Sequence, residues 1–547
     1  MSFISLPKRT VLRPHAVSPR GVLASRHRRL LLQAAVQIMI ALVFNALCFG
    51  QTSKADEKLP GPATRTVPSA AADKAPLSDD ERSELLKLIR SLQERVERLE
   101  AATTSTSTPS AASPVATSTT APNATTNVDP AVLPAPVATT AKSEQDDDEK
   151  KFYGRYTPNF GYKVANTEYG DLNVSIYTYA RYLNQRGLAS TYTDAFGFTK
   201  SVKERQDFQL NKVQIKFLGW IATPKLRYFL YAWTSNANQG LGAQVVLAGN
   251  LNYTFNKYVT LGVGINGLPG TRSIEGNFPF WLGVDSRHIA DEFMRGSYTS
   301  GIWAKGEIAK NLKYQVMLGN NLSTLGVPAS RLDNHLNTVA SALVWTPTTG
   351  EFGAGFGDFE DHQKLATRLA FHFSRSDENS ESQPNSEQFE NTQLRLTDGT
   401  VIFTPEIFGP GVTVTDARYR MVALDGGLKY RGYALEGAYY MRWLDNFRGT
   451  ATAGIPRIFN QGFQLEASAM LVPKTFQVYA GHSRVFGDQG NPWDFRAGGN
   501  FFPFKNRVVR WNNELLYLHK SPVGYTSVPF TVGGKGFVFH SSLELAF

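Results

Sequence analysis

The chain has one cysteine, Cys48, among 547 residues. A disulfide framework, a multi-cysteine metal site and paired-thiol redox chemistry are therefore excluded within one copy. Long apolar runs are almost as scarce. Mean hydropathy is −0.26, which excludes a polytopic helical membrane protein. Helical periodicity is missing too, because no long 3.6-residue repeat appears from Phe152 onward. Positive charge is present but unevenly placed. The net +10 divides into +7 over residues 1–50, which hold no acid, −5 over 51–150 and +8 over 151–547. No single basic surface is implied, and no nucleic-acid motif accompanies the surplus.

Lys8, Arg9, Arg13, Arg20, Arg26, Arg28 and Arg29 precede the uncharged stretch Leu30–Gly50. A basic region, an apolar region and small residues near its end describe a secretory signal peptide over residues 1–50. Cys48 and Gly50 fall three and one residues before a cut after Gly50, with Ser53-Lys54-Ala55 as a second choice of site. The alternative is a retained anchor, since about 20 residues span a bilayer; Gln33, Gln37 and Asn45 weaken it. Leu47 is too large to precede a lipidated Cys48, and Arg28-Arg29 matches a twin-arginine signal only loosely. Cleavage after Gly50 leaves the exported chain without cysteine.

A linker over 51–76 leads to a short coiled coil over 77–102. Ser78-Asp79-Asp80-Glu81 is a capping box. Behind it Leu85, Ile89, Leu92, Val96 and Leu99 form a seam at spacings of four and three; Ile89 and Val96 at one seam position with leucines at the other favour a dimer in parallel coils without fixing the order. Three heptads are marginal alone, so an amphipathic helix lying on its own protein stays open as an alternative. Residues 103–150 form a low-complexity Thr/Ser/Ala/Pro linker that cannot bury a core. It closes on Asp146-Asp147-Asp148-Glu149, read as a solvated charge run rather than a Ca²⁺ site.

Residues 151–547 alternate with period two. Lys212–Phe217, Leu312–Gly319, Lys364–Phe373 and Tyr433–Trp443 each place apolar side chains on one face and polar ones on the other. A soluble β-sandwich alternates as well. Three features favour a membrane barrel: strands of about 9–11 residues, aromatics gathered at strand ends, and a last strand finishing in Phe547. A terminal Phe resembles the signal that outer-membrane proteins present to their barrel assembly machinery. The expected fold class is all-β, a transmembrane antiparallel β-barrel of about 16 strands preceded by a short coiled-coil helix. Barrels of this size enclose an aqueous channel. The acidic stretch 376–417 is expected to be an external loop.

A charge facing lipid near the midplane costs a few kcal/mol, so the alternation assigns charged side chains to the lumen. Arg181, Lys212, Lys216, Arg227, Lys305, Lys313, Arg368 and Arg442 are the pore-lining candidates. Glu307, Glu436, Glu466 and Glu544 face inward on the same logic, leaving a mildly positive wall that favours anions. Pairing of these charges into salt bridges between strands is the competing reading. Catalytic motifs are poor. Gly262–Gly267 matches G-x-G-x-x-G without a βαβ context, and Gly481-His482-Ser483-Arg484-Val485 fails as a nucleophile elbow at its last place. A barrel phospholipase using Ser483 and His482 is the enzymatic alternative. The nine histidines show no metal-ligand spacing, so no cofactor and no metal are expected.

The segments 261–296, 336–347, 427–443 and 462–485, including Leu471-Val472-Pro473-Lys474, resemble the phosphate-selective porin O and P family. The likeness is one of pattern and covers most of 151–547. It implies a trimeric 16-stranded porin in the bacterial outer membrane, in contact with its lipid and passing small hydrophilic solutes or ions. It also implies an inward constriction. Arg272, Arg287 and Arg295 there alternate with Asp285, Asp291 and Glu292, which leaves ion preference open. The seam and linker match a subgroup with a periplasmic coiled coil, which would trimerise with the barrel. The alternative function is a structural protein tethering the envelope through that coiled coil.

Overall fold

The computed structural model describes residues 156–157, 160–234, 245–275, 281–332, 335–384, 392–525 and 527–547. The expected signal peptide, both linkers and the seam Leu85, Ile89, Leu92, Val96 and Leu99 lie outside the described residues. Eighteen strand segments join one antiparallel sheet. Two are short, Tyr156–Thr157 and Gly161–Thr167; the other sixteen close a transmembrane β-barrel. Closure is made by Gly170–Leu188, which pairs Gln206–Ile221 on one edge and Gly536–Ala546 on the other. Gly161–Thr167 pairs the lower part of Gly170–Leu188 beyond the end of the last strand. Phe547 completes the ladder there: it exchanges both main-chain hydrogen bonds with Ile176, at 2.7 and 2.9 Å. Among the described residues the ring of sixteen strands has no open edge, as hydrocarbon requires.

The period-two pattern becomes two faces of opposite chemistry. Phe208, Leu247, Leu369, Trp511 and Leu543 stand exposed on the outside, while Arg181, Tyr440, Ser483 and Glu514 are buried inside. Apolar outward and polar inward is the polarity of a barrel solvated by lipid. An aromatic chain runs around the outer rim. Phe463, His482, Trp493, Tyr517 and Phe537 follow one another with ring centroids 4.9–6.0 Å apart. At the opposite rim Tyr162 meets Phe547 edge-on at 5.6 Å.

Tight turns collect at the rim of Phe547. Ala222 alone joins Gln206–Ile221 to Thr223–Thr234, and Arg431-Gly432 joins Thr413–Tyr430 to Tyr433–Thr450. Arg431 at φ 50° and Gly432 at φ 83° both take the left-handed conformation that a two-residue hairpin demands. A Cβ on Gly432 would stand 2.9 Å from that of Met470, so only glycine fits. The other rim carries long connections. The expected loop 376–417 is shorter than read. Strands Ala366–Asn379 and Thr413–Tyr430 extend into it, and Asp377 pairs with Arg418 across them at 2.6 Å. One connection at the tight-turn rim breaks the asymmetry: residues 346–365, between Thr338–Trp345 and Ala366–Asn379.

Candidate functional site

The barrel interior is shaped by residues 268–275 and 281–297. They leave the strand Val259–Gly267 and rejoin the wall at Tyr298–Ala309, closed at the base by Leu268 N–H to Ser297 O at 2.9 Å. Between lie two short helical turns, Arg272–Glu275 and Ile289–Met294, with Leu268, Trp281, Val284, Ile289 and Phe293 buried. Irregular backbone in a barrel needs donors for its carbonyls. The wall supplies them. Arg181 donates to Val284 O at 2.7 Å and Arg442 to Phe293 O at 3.1 Å. Arg510 donates to Trp281 O at 2.6 Å, and Arg496 to Ser286 O and Arg287 O at 3.0 and 2.5 Å. Tyr419 adds a bond to Met294 O at 2.5 Å. The planar, multi-donor guanidinium suits this work better than a lysine ammonium.

The eight pore-lining candidates fall into two groups. Arg181, Lys212, Arg368 and Arg442 are buried. Lys212 meets Asp285 at 2.6 Å, Arg368 meets Asp425 at 2.7 Å, and the two remaining arginines hold the carbonyls just described. Lys216, Arg227 and Lys305 are half-buried and Lys313 is exposed. These four belong to Gln206–Ile221, Thr223–Thr234, Tyr298–Ala309 and Leu312–Gly319, one sector of the wall. The inward acids are engaged as well. Glu307 accepts Asn311 N–H at 3.1 Å, Glu466 lies 3.1 Å from His288, and Glu544 lies 2.6 Å from Arg510.

All six constriction candidates lie on the infolded segment, and all are buried. Asp285 receives the Lys212 ammonium and the Tyr179 hydroxyl, both at 2.6 Å. Glu292 bridges Arg287 at 2.7 Å and Arg295 at 2.5 Å. Burial alone would raise the Glu292 carboxyl, but the Arg295 and Arg287 charges overcome it and hold it down to about 2. Asp291 sits 4.0 Å from Arg287 and accepts from Tyr440 at 3.2 Å. Burial outweighs both arginines there and its pKa is raised. Arg272 reaches away toward Glu436, at 3.4 Å.

Ser483 and His482 occupy opposite faces of one strand. Ser483 is buried inside and donates to Asp494, while His482 joins the outer aromatic chain. They form no nucleophile–base pair. Asp358, Glu360 and His362 offer ligand atoms within 4.8 Å of one another. Asp358, however, already accepts from Gly432 N–H at 2.7 Å and lies 2.5 Å from His362 Nδ1. Glu360 faces Arg507 at 3.0 Å and feels the Lys429 charge, so the surroundings oppose a cation. The inward residues Arg496, Arg510, Asp494 and Glu514 are absent from the sequence-based candidates. Their alternation in Trp493–Phe501 and Val509–His519 was the signal available.

No protein-family model matches the chain, and no curated protein matches it. Among solved structures it is similar to outer-membrane expressed OmpT of Vibrio cholerae, with 10% identity over 70% of this chain and 99% of that one and a TM-score of 0.43. It is similar to an anion-selective porin from Comamonas acidovorans, with 9% identity, 69% and 100% coverage and a TM-score of 0.41. The outer membrane channel DcaP of Acinetobacter baumannii gives 8% identity, 70% and 99% coverage and a TM-score of 0.41. No residue role is transferred from these distant likenesses.

Proposed function

We propose that the chain is a bacterial outer-membrane porin giving passive diffusion of small hydrophilic solutes or ions. The observation that carries this is the pairing of a lipid-facing apolar exterior with a wall sector whose inward cations are only partly buried. Lys216, Arg227, Lys305 and Lys313 share that sector, and Lys216 and Lys305 enter no ion pair among the described residues. Inward cations without carboxylate partners favour anions, so the finer reading is an anion preference, phosphate included. The infolded segment then screens by size. The barrel would assemble as a homotrimer in outer-membrane lipid. The Phe547 strand would be recognised by the barrel assembly machinery, and the coiled coil over 77–102 would stand in the periplasm.

The envelope-tether reading is kept because much of the interior is filled, with Arg181, Tyr419, Tyr440 and Glu514 almost wholly buried. Reversal potentials across a salt gradient separate the two. A porin of the proposed kind gives an anion-signed potential, and Lys216→Glu with Lys305→Glu moves it toward cations. Vesicles that remain tight to every ion and small sugar would leave the tether.

A further inference from the structure

The lumen is entered from both rims. Residues 346–365 belong to the rim where neighbouring connections are a few residues long, yet they turn inward. Phe352 and Phe356 are 4% and 7% exposed, and Asp358 is fully buried. The backbone bends through Gly353 at φ 72° and Gly357 at φ 74°, where other residues are strained. The wall then ties the segment down. Lys429 donates to Gly355 O at 2.5 Å, Gly432 N–H to Asp358 at 2.7 Å, and Arg507 to Glu360 at 3.0 Å.

Its innermost part meets the segment descending from the other rim. Arg272 donates to Ala354 O at 3.0 Å and to Gly355 O at 3.1 Å, with its guanidinium 5.0 Å from the centre of the Phe356 ring. Phe356 packs in one cluster with Trp281, Leu282 and Tyr479. A single wall carboxylate joins both segments: Glu436 accepts Arg272 Nε–H at 3.4 Å and Gly357 N–H at 3.1 Å. Closing the barrel does not require this length of chain. Thr338–Trp345 is in register with Ala366–Asn379 throughout, down to Trp345 opposite Leu369. A much shorter turn would serve, as it does at Arg431-Gly432.

We infer that residues 346–365 form a second infolded segment that sets the size limit of the permeation path, with Glu436 as the residue positioning it against Arg272. The inference rests on the porin reading. It places the narrow part of the path at the meeting of two segments from opposite rims, so chain from either side bounds what passes.

The test replaces residues 347–364 with an Asn-Gly turn in the otherwise full chain, alongside Glu436→Gln. Single-channel conductance is read in planar bilayers, and the size limit from vesicle swelling in sugars of increasing mass. The deletion is expected to raise conductance at least twofold and to admit larger sugars. Glu436→Gln is expected to shift both in the same direction by less, in a barrel that is less resistant to heat but still folds and inserts. A conducting deletion variant beside a closed wild type overturns the porin reading and the size limit with it, and makes residues 346–365 a plug. Equal conductance and equal size limit in all three proteins overturns it while leaving the porin reading intact. Silence from all three overturns both. Should the deletion fail to fold, Glu436→Gln decides by the same readings.

Discussion

Replacing Arg496 with Met asks what the buried wall arginines are for. The guanidinium is 1% exposed. It donates to Ser286 O, Ser286 Oγ and Arg287 O at 3.0, 3.1 and 2.5 Å, and it meets Asp494 at 2.9 Å and Glu514 at 3.7 Å. Met keeps most of the volume and removes every donor. Each carbonyl left buried without a partner costs about 1–3 kcal/mol. Breaking a buried ion pair costs about 3–5 kcal/mol, because the stranded carboxylates stay desolvated. These terms overlap, so a loss of about 3–5 kcal/mol is expected, or two to four powers of ten in the unfolding equilibrium. Urea unfolding in lipid vesicles, followed by the fluorescence of the eight tryptophans, reads it. Lys305→Met is the control, since Lys305 is inward but unpaired among the described residues; its effect should stay within about 0.5 kcal/mol. Equal losses in the two variants would refute the assignment of the buried arginines as clamps on the infolded segment.

Three further outcomes follow from the geometry. Gly432→Ala, at φ 83° and facing Met470, should destabilise the barrel by about 1 kcal/mol or more, read in the same urea titration. The Asp358–His362 pair should give residues 346–365 a pH window. The Asp358 hydrogen bond raises the His362 pKa above 6.5, so its contribution is full below pH 6.5 and is lost as pH rises through the folded value. Burial would raise Asp358, but its bonds to His362 and Gly432 leave its pKa below 3.8, so that contribution is full above 3.8 and fails as pH falls. Protection of the amides across 346–365, after correction for the base-catalysed rise in intrinsic exchange, should therefore fall as pH rises through the folded His362 value, and His362→Ala should remove that fall. Deleting Phe547 removes both main-chain bonds to Ile176 and the 2.5 Å bond from Ser175 Oγ; slower folding into vesicles is expected, with the other strand pairings retained.

Much of the wall was legible in the sequence, because lipid outside and water or polar chain inside impose a strict period of two. Leu312–Gly319 appears with the bounds its alternation suggests, and Tyr433–Trp443 keeps Leu435 and Tyr439 outward with Glu436, Tyr440 and Arg442 inward. What lay beyond reach was the fate of the inward charges. Alternation says that Arg442 and Lys305 face the lumen; it does not say that Arg442 holds Phe293 O while Lys305 stays unpaired among the described residues. That depends on where residues 268–297 run, and irregular backbone carries no period. The segment 346–365 illustrates the same limit. Its glycines and phenylalanines carry no period, and only the count of strands places it at a rim where long connections are out of place. The strand limits around 380–412 were misjudged for a related reason. Asp377 and Arg418 are charged, and their pairing across the strands makes an acidic stretch part of the sheet.

The most direct test of the porin reading is the single-channel conductance of the purified full chain in planar bilayers. Stepwise currents that close in groups of three, with anions carrying the larger share in a salt gradient, are the expected result. A folded, heat-resistant barrel that inserts and passes no current at any voltage would contradict it.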